Sequence, residues 1–353
     1  MATFISVRSC TARAVLLVLW LVNFHAWARE DIVRPPNTPA IGGPAGVTDS
    51  QVAIFYRTFQ DAIYLARHTA LYWPCDAAND EIFTRYFEPG DAEFVKNMFR
   101  AIANIDLTLD LSNPETVRQL ADQPLSYNKY FTGLSIHFLD DHPGLTQPGV
   151  VWDGTLSCHL NRPLLGFMVP TFGGTSALMS VCKRMYAMLP MLQDVETAPN
   201  WAIDPSKDKS NGLQYYDGYG CQNLGDTDSS NLHSTGSVML HELMHFPGLF
   251  SDVPHYAATI PSQIQFSSTP HVISDFFGDW PKNGYGPYNS AEIKRFLPRD
   301  HSYFEWKPTY NADNYVSYAV SQYYSRVCGR KFGEAPSEKA AYPNRHPPSN
   351  PFP

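Results

Sequence analysis

Gly236-Ser-Val-Met-Leu-His241-Glu242-Leu-Met-His245-Phe-Pro-Gly248 is the stretch on which the reading of this chain turns. Its two histidines are four residues apart, so on a helix they lie one above the other on the same face. Two imidazoles in that position can grip one metal ion from one side. Glu242 follows the first histidine directly, about a third of a turn round. It can hold a water beside the metal without filling a ligand position, which is the logic of the H-E-x-x-H zinc-hydrolase pattern. Ser234-Thr-Gly-Ser237 offers a helix start, Val238, Met239 and Leu240 supply a core face, and Pro247-Gly248 stops the helix soon after His245. A third ligand must therefore come from elsewhere in the chain.

The surrounding composition constrains what such a site serves. The chain has 353 residues and a formal net charge of −8, with no basic cluster, so nucleic acid is not an expected partner. Arg8 and Arg13, the apolar run Ala14–Val22 and the small residues Ala26 and Ala28 read as a secretory signal over residues 1–28. No later apolar run approaches 18 residues, so no membrane association is expected once the signal is removed. The protein is expected to be secreted and extracellular, and monomeric. Cys10 leaves with the signal. Cys75, Cys158, Cys182, Cys221 and Cys328 remain, with no C-x-x-C, and are expected to form two structural disulfides and leave one free thiol. No Asn-x-Ser/Thr sequon is present.

Residues 29–47, rich in Pro and Gly, read as an extended arm or pro-segment and not as a packed element. A helix follows from Asp49, with Val52, Phe55, Phe59, Ile63 and Ala66 at helical spacing. Further helical patterns cover residues 91–103 and 114–122. Residues 134–139, 149–152, 164–169 and 178–182 read as strands, with a short helix over 183–189. A polar loop over 196–232 leads into the His241 helix. Asn311–Tyr324 is a helical pattern opened by an Asx cap, and the Pro-rich tail over 331–353 reads as disordered. The fold class is helix-rich α+β, with one large domain over 48–330.

The segments downstream of the pentad are more specific. His241-Glu242-Leu-Met-His245 is followed by Asn283-Gly-Tyr285-Gly286 and then by Asn311-Ala312-Asp313-Asn314-Tyr315. In order and character this resembles the aspzincin metallo-endopeptidases, the deuterolysin and lysine-specific group of secreted enzymes, over residues 178–328. The resemblance implies a zincin-like metalloprotease fold, with an upstream helical and sheet lobe beside the H-E-x-x-H helix. It implies zinc held by His241, His245 and a downstream Asp, Glu242 as general base, and Tyr285 as the phenol that stabilises the oxyanion. Protein or peptide would be the substrate. The third histidine that metzincins keep six residues after the second is replaced here by Ser251.

The family places its Asp three residues before the tyrosine, and here that position is Lys282. Asp279 and Asp275 are the nearest carboxylates upstream. Asp279 is favoured for its closeness to Tyr285, with Asp275 the alternative third ligand; each also has a reading as an Asx-turn residue. His255 and His271 lie in the intervening loop and are weaker candidates. Asn311 and Asp313 read either as residues that orient the ligands or as helix caps. A secreted zinc-binding protein without proteolysis, such as a scavenger or surface protein, is the alternative function on the same fold. The intact Glu242 and Tyr285 favour the enzyme.

Overall fold

The computed structural model describes residues 34–150, 152, 154–160, 164–171, 173–207, 214–262, 270–278, 283–296, 306–348 and 352. Its strands are β1 (Ala40–Gly42), β2 (Leu134–Leu139), β3 (Gly166–Pro170) and β4 (Ala177–Cys182). Its helices are α1 (Asp49–Leu71), α2 (Glu81–Tyr86), α3 (Ala92–Ile102), α4 (Pro114–Asp122), α5 (Lys183–Met188), α6 (Leu192–Glu196), α7 (Thr235–Met244), α8 (Tyr256–Thr259), α9 (Gly286–Phe296), α10 (Ala312–Val327) and α11 (Glu338–Ala341). This is the helix-rich α+β class expected, with one small mixed sheet.

Helix α1 forms where the cap residues and the apolar spacing agree. The Thr48 hydroxyl accepts from Gln51 N and the Gln51 side chain accepts from Thr48 N, a reciprocal capping box. Phe55, Phe59, Ile63 and Ala66 are fully buried along one face, as their spacing predicts. That face packs on α3, α7 and α10. At the crossing with α7 the backbones approach closely: a Cβ on Gly236 would lie 2.5 Å from Asp61 Cβ. A glycine in the first turn of the histidine helix is what allows α1 to press against it.

The sheet runs in the order β1-β2-β4-β3, with β1, β2 and β4 parallel and β3 antiparallel to β4. Leu134, Ile136 and Phe138 point into the core while Ser135, His137 and Leu139 are half-buried, the period-two alternation of a one-sided strand. Phe138 stacks on Phe55 at 4.4 Å and ties the sheet to α1. Strand β3 forms the edge next to α7. Of the predicted strand over 149–152, Val151 lies outside the described residues and Val150 bridges Thr171.

Two sequence expectations are corrected. Within the Pro- and Gly-rich arm, Ala40–Gly42 pairs with β2, because the extended backbone around Pro39 supplies the ladder groups and an edge strand needs little from its side chains. The tail is not disordered over its described residues. Phe332, Ala335, Ala341 and Phe352 are buried, and Phe352 packs on Phe55 and Tyr186 at 5.4 and 4.6 Å. Its Pro, Ser and Asn content hides a few widely spaced anchors that bury well. Cys158 pairs with Cys182 and Cys221 with Cys328, the two disulfides expected. Among the described residues no helix is long and apolar enough to cross a membrane. The signal over residues 1–28 lies outside them.

Candidate metal centre

Helix α7 begins where the sequence places it. The Ser234 hydroxyl accepts from Ser237 N, and the Ser237 hydroxyl lies 2.9 Å from Ser234 N in return. His245 closes the helix, and Pro247 turns the chain into a short 3₁₀ segment. The rings of His241 and His245 lie 5.0 Å apart on one face, both buried.

Their outer nitrogens converge on one carboxylate oxygen. Asp275 Oδ1 lies 2.9 Å from His241 Nε2 and 3.4 Å from His245 Nε2. A tetrahedral zinc with bonds near 2.0–2.2 Å separates its ligand atoms by about 3.4 Å, so the triangle has the right size. Two contacts hold Asp275 there. Ser274 N donates to Tyr310 O and Ala312 N donates to Ser274 O, pinning the loop to the start of α10. One residue earlier, Ile273 O lies 2.6 Å from His245 Nδ1. Asp279, favoured on sequence closeness to Tyr285, lies outside the described residues, as does Lys282. Among the described residues, the alternative, Asp275, is the carboxylate that meets the outer nitrogens of both histidines.

The inner nitrogens decide the tautomers. His245 Nδ1 faces the carbonyl of Ile273, and His241 Nδ1 lies 2.6 Å from Asp313 Oδ1. Each of these partners accepts only, so each Nδ1 carries the hydrogen and each Nε2 turns a lone pair outward. Two lone pairs then meet a carboxylate oxygen. Asp275 Oδ1 is buried without a hydrogen bond of ordinary geometry. Three acceptors directed at one another without a donor repel unless a cation lies among them, and His241, His245 and Asp275 form a group that could hold a metal ion. Without one, protons take the cation's place. Burial alone would lower both histidines, but Asp275 and Asp313 outweigh it at His241, and Asp275 does so at His245, so both are raised. Asp275 is held well below the usual carboxylate range, its burial overcome by the two imidazoles.

Asp313 has a second task. Its Oδ2 accepts from Gly286 N at 2.6 Å, so one carboxylate holds both His241 and the turn that carries Tyr285. Gly286 adopts φ +78°, where a side chain is strained. Asn311, expected as an Asx cap, makes no capping bond. Its side chain accepts from Phe276 N and donates to Gly284 O, linking the two halves of the loop between Asp275 and Tyr285.

Glu242 stands beside this triangle and is not one of its ligands. It is buried, its Oε2 has no hydrogen-bond partner, and burial pushes its carboxyl up to about 7 against the pull of both imidazoles. Gly166 of β3 faces it: a Cβ there would come within 3.3 Å of Glu242 Oε1. A glycine inside a strand pattern marks such close approaches, so this contact had a signal in the sequence, whereas the carbonyl of Ile273 had none. The Tyr285 ring lies parallel to that of His241, centroids 6.2 Å apart, and remains 39 % exposed. Burial and then the Asp275 and Asp313 carboxylates raise its phenol, keeping it a proton donor at neutral pH.

Among the described residues, the other histidines stay outside the centre. His271 Nδ1 binds Ile260 O, and His255 stands at the N-cap position of α8 without a capping side-chain bond. His159 lies 2.6 Å from Asp140, in a second group with Asp141. There the Asp141 carboxylate accepts from Ser157 and from Cys158 N, and the group is largely exposed. Compared with protein-family models, with curated proteins and with solved structures, the chain finds no match in any of the three.

Proposed function

We propose that the chain is a secreted zinc metallo-endopeptidase of aspzincin type, on a zincin-like arrangement in which α7 runs beneath the edge strand β3. The observation that carries the reading is the division of labour on α7. Two imidazole lone pairs and the Asp275 oxygen converge on one point, while the neighbouring Glu242 stays buried with an unpartnered oxygen and a carboxyl poised near 7. A protein that only stored metal would have no use for that second carboxylate.

His241, His245 and Asp275 would hold the zinc. When bound, zinc supplies Lewis-acid chemistry, acidifying water toward neutral pH and polarising a peptide carbonyl. The chain's own residues do the rest. Glu242 Oε2 takes the proton of the attacking water and then delivers it to the leaving amine. The Tyr285 hydroxyl donates a hydrogen bond to the carbonyl oxygen as charge develops there. Asp313 and Ile273 O keep the imidazoles in the ligating tautomer. A peptide substrate is supported by β3, an edge strand that among the described strands pairs only with β4.

The test is Glu242→Gln assayed on casein. Zinc should remain at about one per chain while cleavage falls by about 10²- to 10⁴-fold. Undiminished cleavage by the zinc-loaded variant would refute the assignment of the base.

A further inference from the structure

The C-terminal segment is tied to the metal centre at three separate points. First, the Tyr342 hydroxyl sits directly on Gly286, so that a Cβ at Gly286 would overlap it. Gly286 N is the donor to Asp313 Oδ2, and Asp313 Oδ1 holds His241. Second, Glu338 Oε1 accepts from Asn289 Nδ2 at 3.1 Å, and the same amide donates to Tyr285 O at 2.9 Å. The two amide hydrogens thus tie the tail to the carbonyl of Tyr285. Third, the Arg345 guanidinium donates to the carbonyls of His233, Asn231 and Gly218. His233 immediately precedes Ser234, the cap of α7.

Ala341 of this segment is fully buried, while Tyr342 keeps 45 % of its surface exposed. A guanidinium sunk among backbone carbonyls is costly to place unless its donors find acceptors; here both terminal nitrogens do, while Nε is buried without one. Burial lowers Arg345 only to about 10, so it stays charged at neutral pH. The carbonyls it engages belong to the chain entering the metal helix, and the other two contacts fall on the turn that carries Tyr285. The tail thus stands behind Asp313, the Tyr285 turn and the entry to α7, whereas the Ile273 carbonyl and the Ser274 bonds that hold Asp275 have no tail residue behind them.

We infer that residues 337–346 form a strap that sets the metal affinity of the centre, with Tyr342 a positioning residue acting through Gly286 and Asp313 on His241. When the strap is released, the Gly286 turn loosens, Asp313 loses its fixed orientation, and His241 Nε2 no longer points steadily at the metal. Partners of this kind behind a ligand typically change metal affinity by about 10- to 100-fold. Trimming of the C-terminus by another peptidase would thus discharge the metal without touching a ligand.

The test is zinc affinity, measured by competition with a chromophoric chelator on the full-length protein, on Tyr342→Ala, and on a chain ending at Pro336. Lys339→Ala, an exposed tail position, is the control. Tyr342→Ala and the truncation should each weaken zinc by about tenfold or more, while Lys339→Ala matches the wild type. Melting of the metal-free proteins separates positioning from simple structural support. A lower melting temperature with zinc affinity within twofold of wild type in Tyr342→Ala would overturn the inference, and this variant keeps the test decisive if the truncated chain does not fold. Failure of the full-length protein itself to bind zinc would instead refute the metal centre.

Discussion

Asp313→Asn is the sharpest test of how the centre is held. Both oxygens of Asp313 accept hydrogen bonds of 2.6 Å, one from His241 Nδ1 and one from Gly286 N. An asparagine offers one accepting oxygen and one donating amide in the same space. If the oxygen stays on Gly286 N, the amide meets His241 Nδ1–H. That clash is relieved only by moving the imidazole hydrogen to Nε2, which removes the lone pair that binds metal. If the amide turns the other way, it meets Gly286 N–H and the turn carrying Tyr285 is lost instead. Either way one hydrogen bond to a charged group disappears, a loss of about 1.5–3 kcal/mol. At about 1.4 kcal/mol per tenfold, zinc should bind roughly 10- to 150-fold more weakly. Chelator competition reads this directly. Zinc affinity within twofold of wild type in a folded Asp313→Asn protein would refute the claim that this carboxylate fixes the tautomer of His241.

Gly236→Ala should destabilise the protein by about 1–3 kcal/mol, because its new methyl must displace Asp61 and the α1 backbone; thermal melting checks this, and an unchanged melting temperature would mean the helices part freely. His68 is buried between Tyr72 and Tyr323, and burial, with the nearby charge of Arg326, lowers it to about 3. Its folded state therefore binds fewer protons than the unfolded chain between about pH 3 and 6.5, so its contribution is lost as pH falls through that window. Relative to His68→Phe, the wild type should lose about 2 kcal/mol between pH 7 and pH 5, measured by urea unfolding of both proteins. Parallel losses in the two would contradict the burial argument.

Much of the centre was legible because its signals are local. The spacing of His241 and His245, the Ser234 cap and the Pro247 stop all act within one helix, and α1 announces itself by its cap and apolar spacing in the same way. The third carboxylate was less legible: Asp279, favoured for closeness to Tyr285, lies outside the described residues, and no local signal marks what brings Asp275 to the histidines. Asp275 is placed by the backbone bridge between Ser274 and Asn311, two segments far apart in sequence. Asn311 illustrates the same limit: an Asx residue at a helix start reads as a cap, yet its side chain serves the Gly284 loop, where a Cβ would come within 2.5 Å of it. The tail misleads for a different reason. Its composition is that of a disordered segment, and only the partners of Arg345, Tyr342 and Phe352 elsewhere in the chain reveal what they bury against.

The most direct measurement is the zinc content of purified wild-type and Asp275→Ala proteins after dialysis against a weak chelator, with Asp279→Ala prepared in parallel. The account predicts about one zinc per chain in the wild type and in Asp279→Ala, and little in Asp275→Ala, which keeps both histidines but lacks the oxygen on which they converge. Full zinc in Asp275→Ala, or its loss in Asp279→Ala instead, would contradict it.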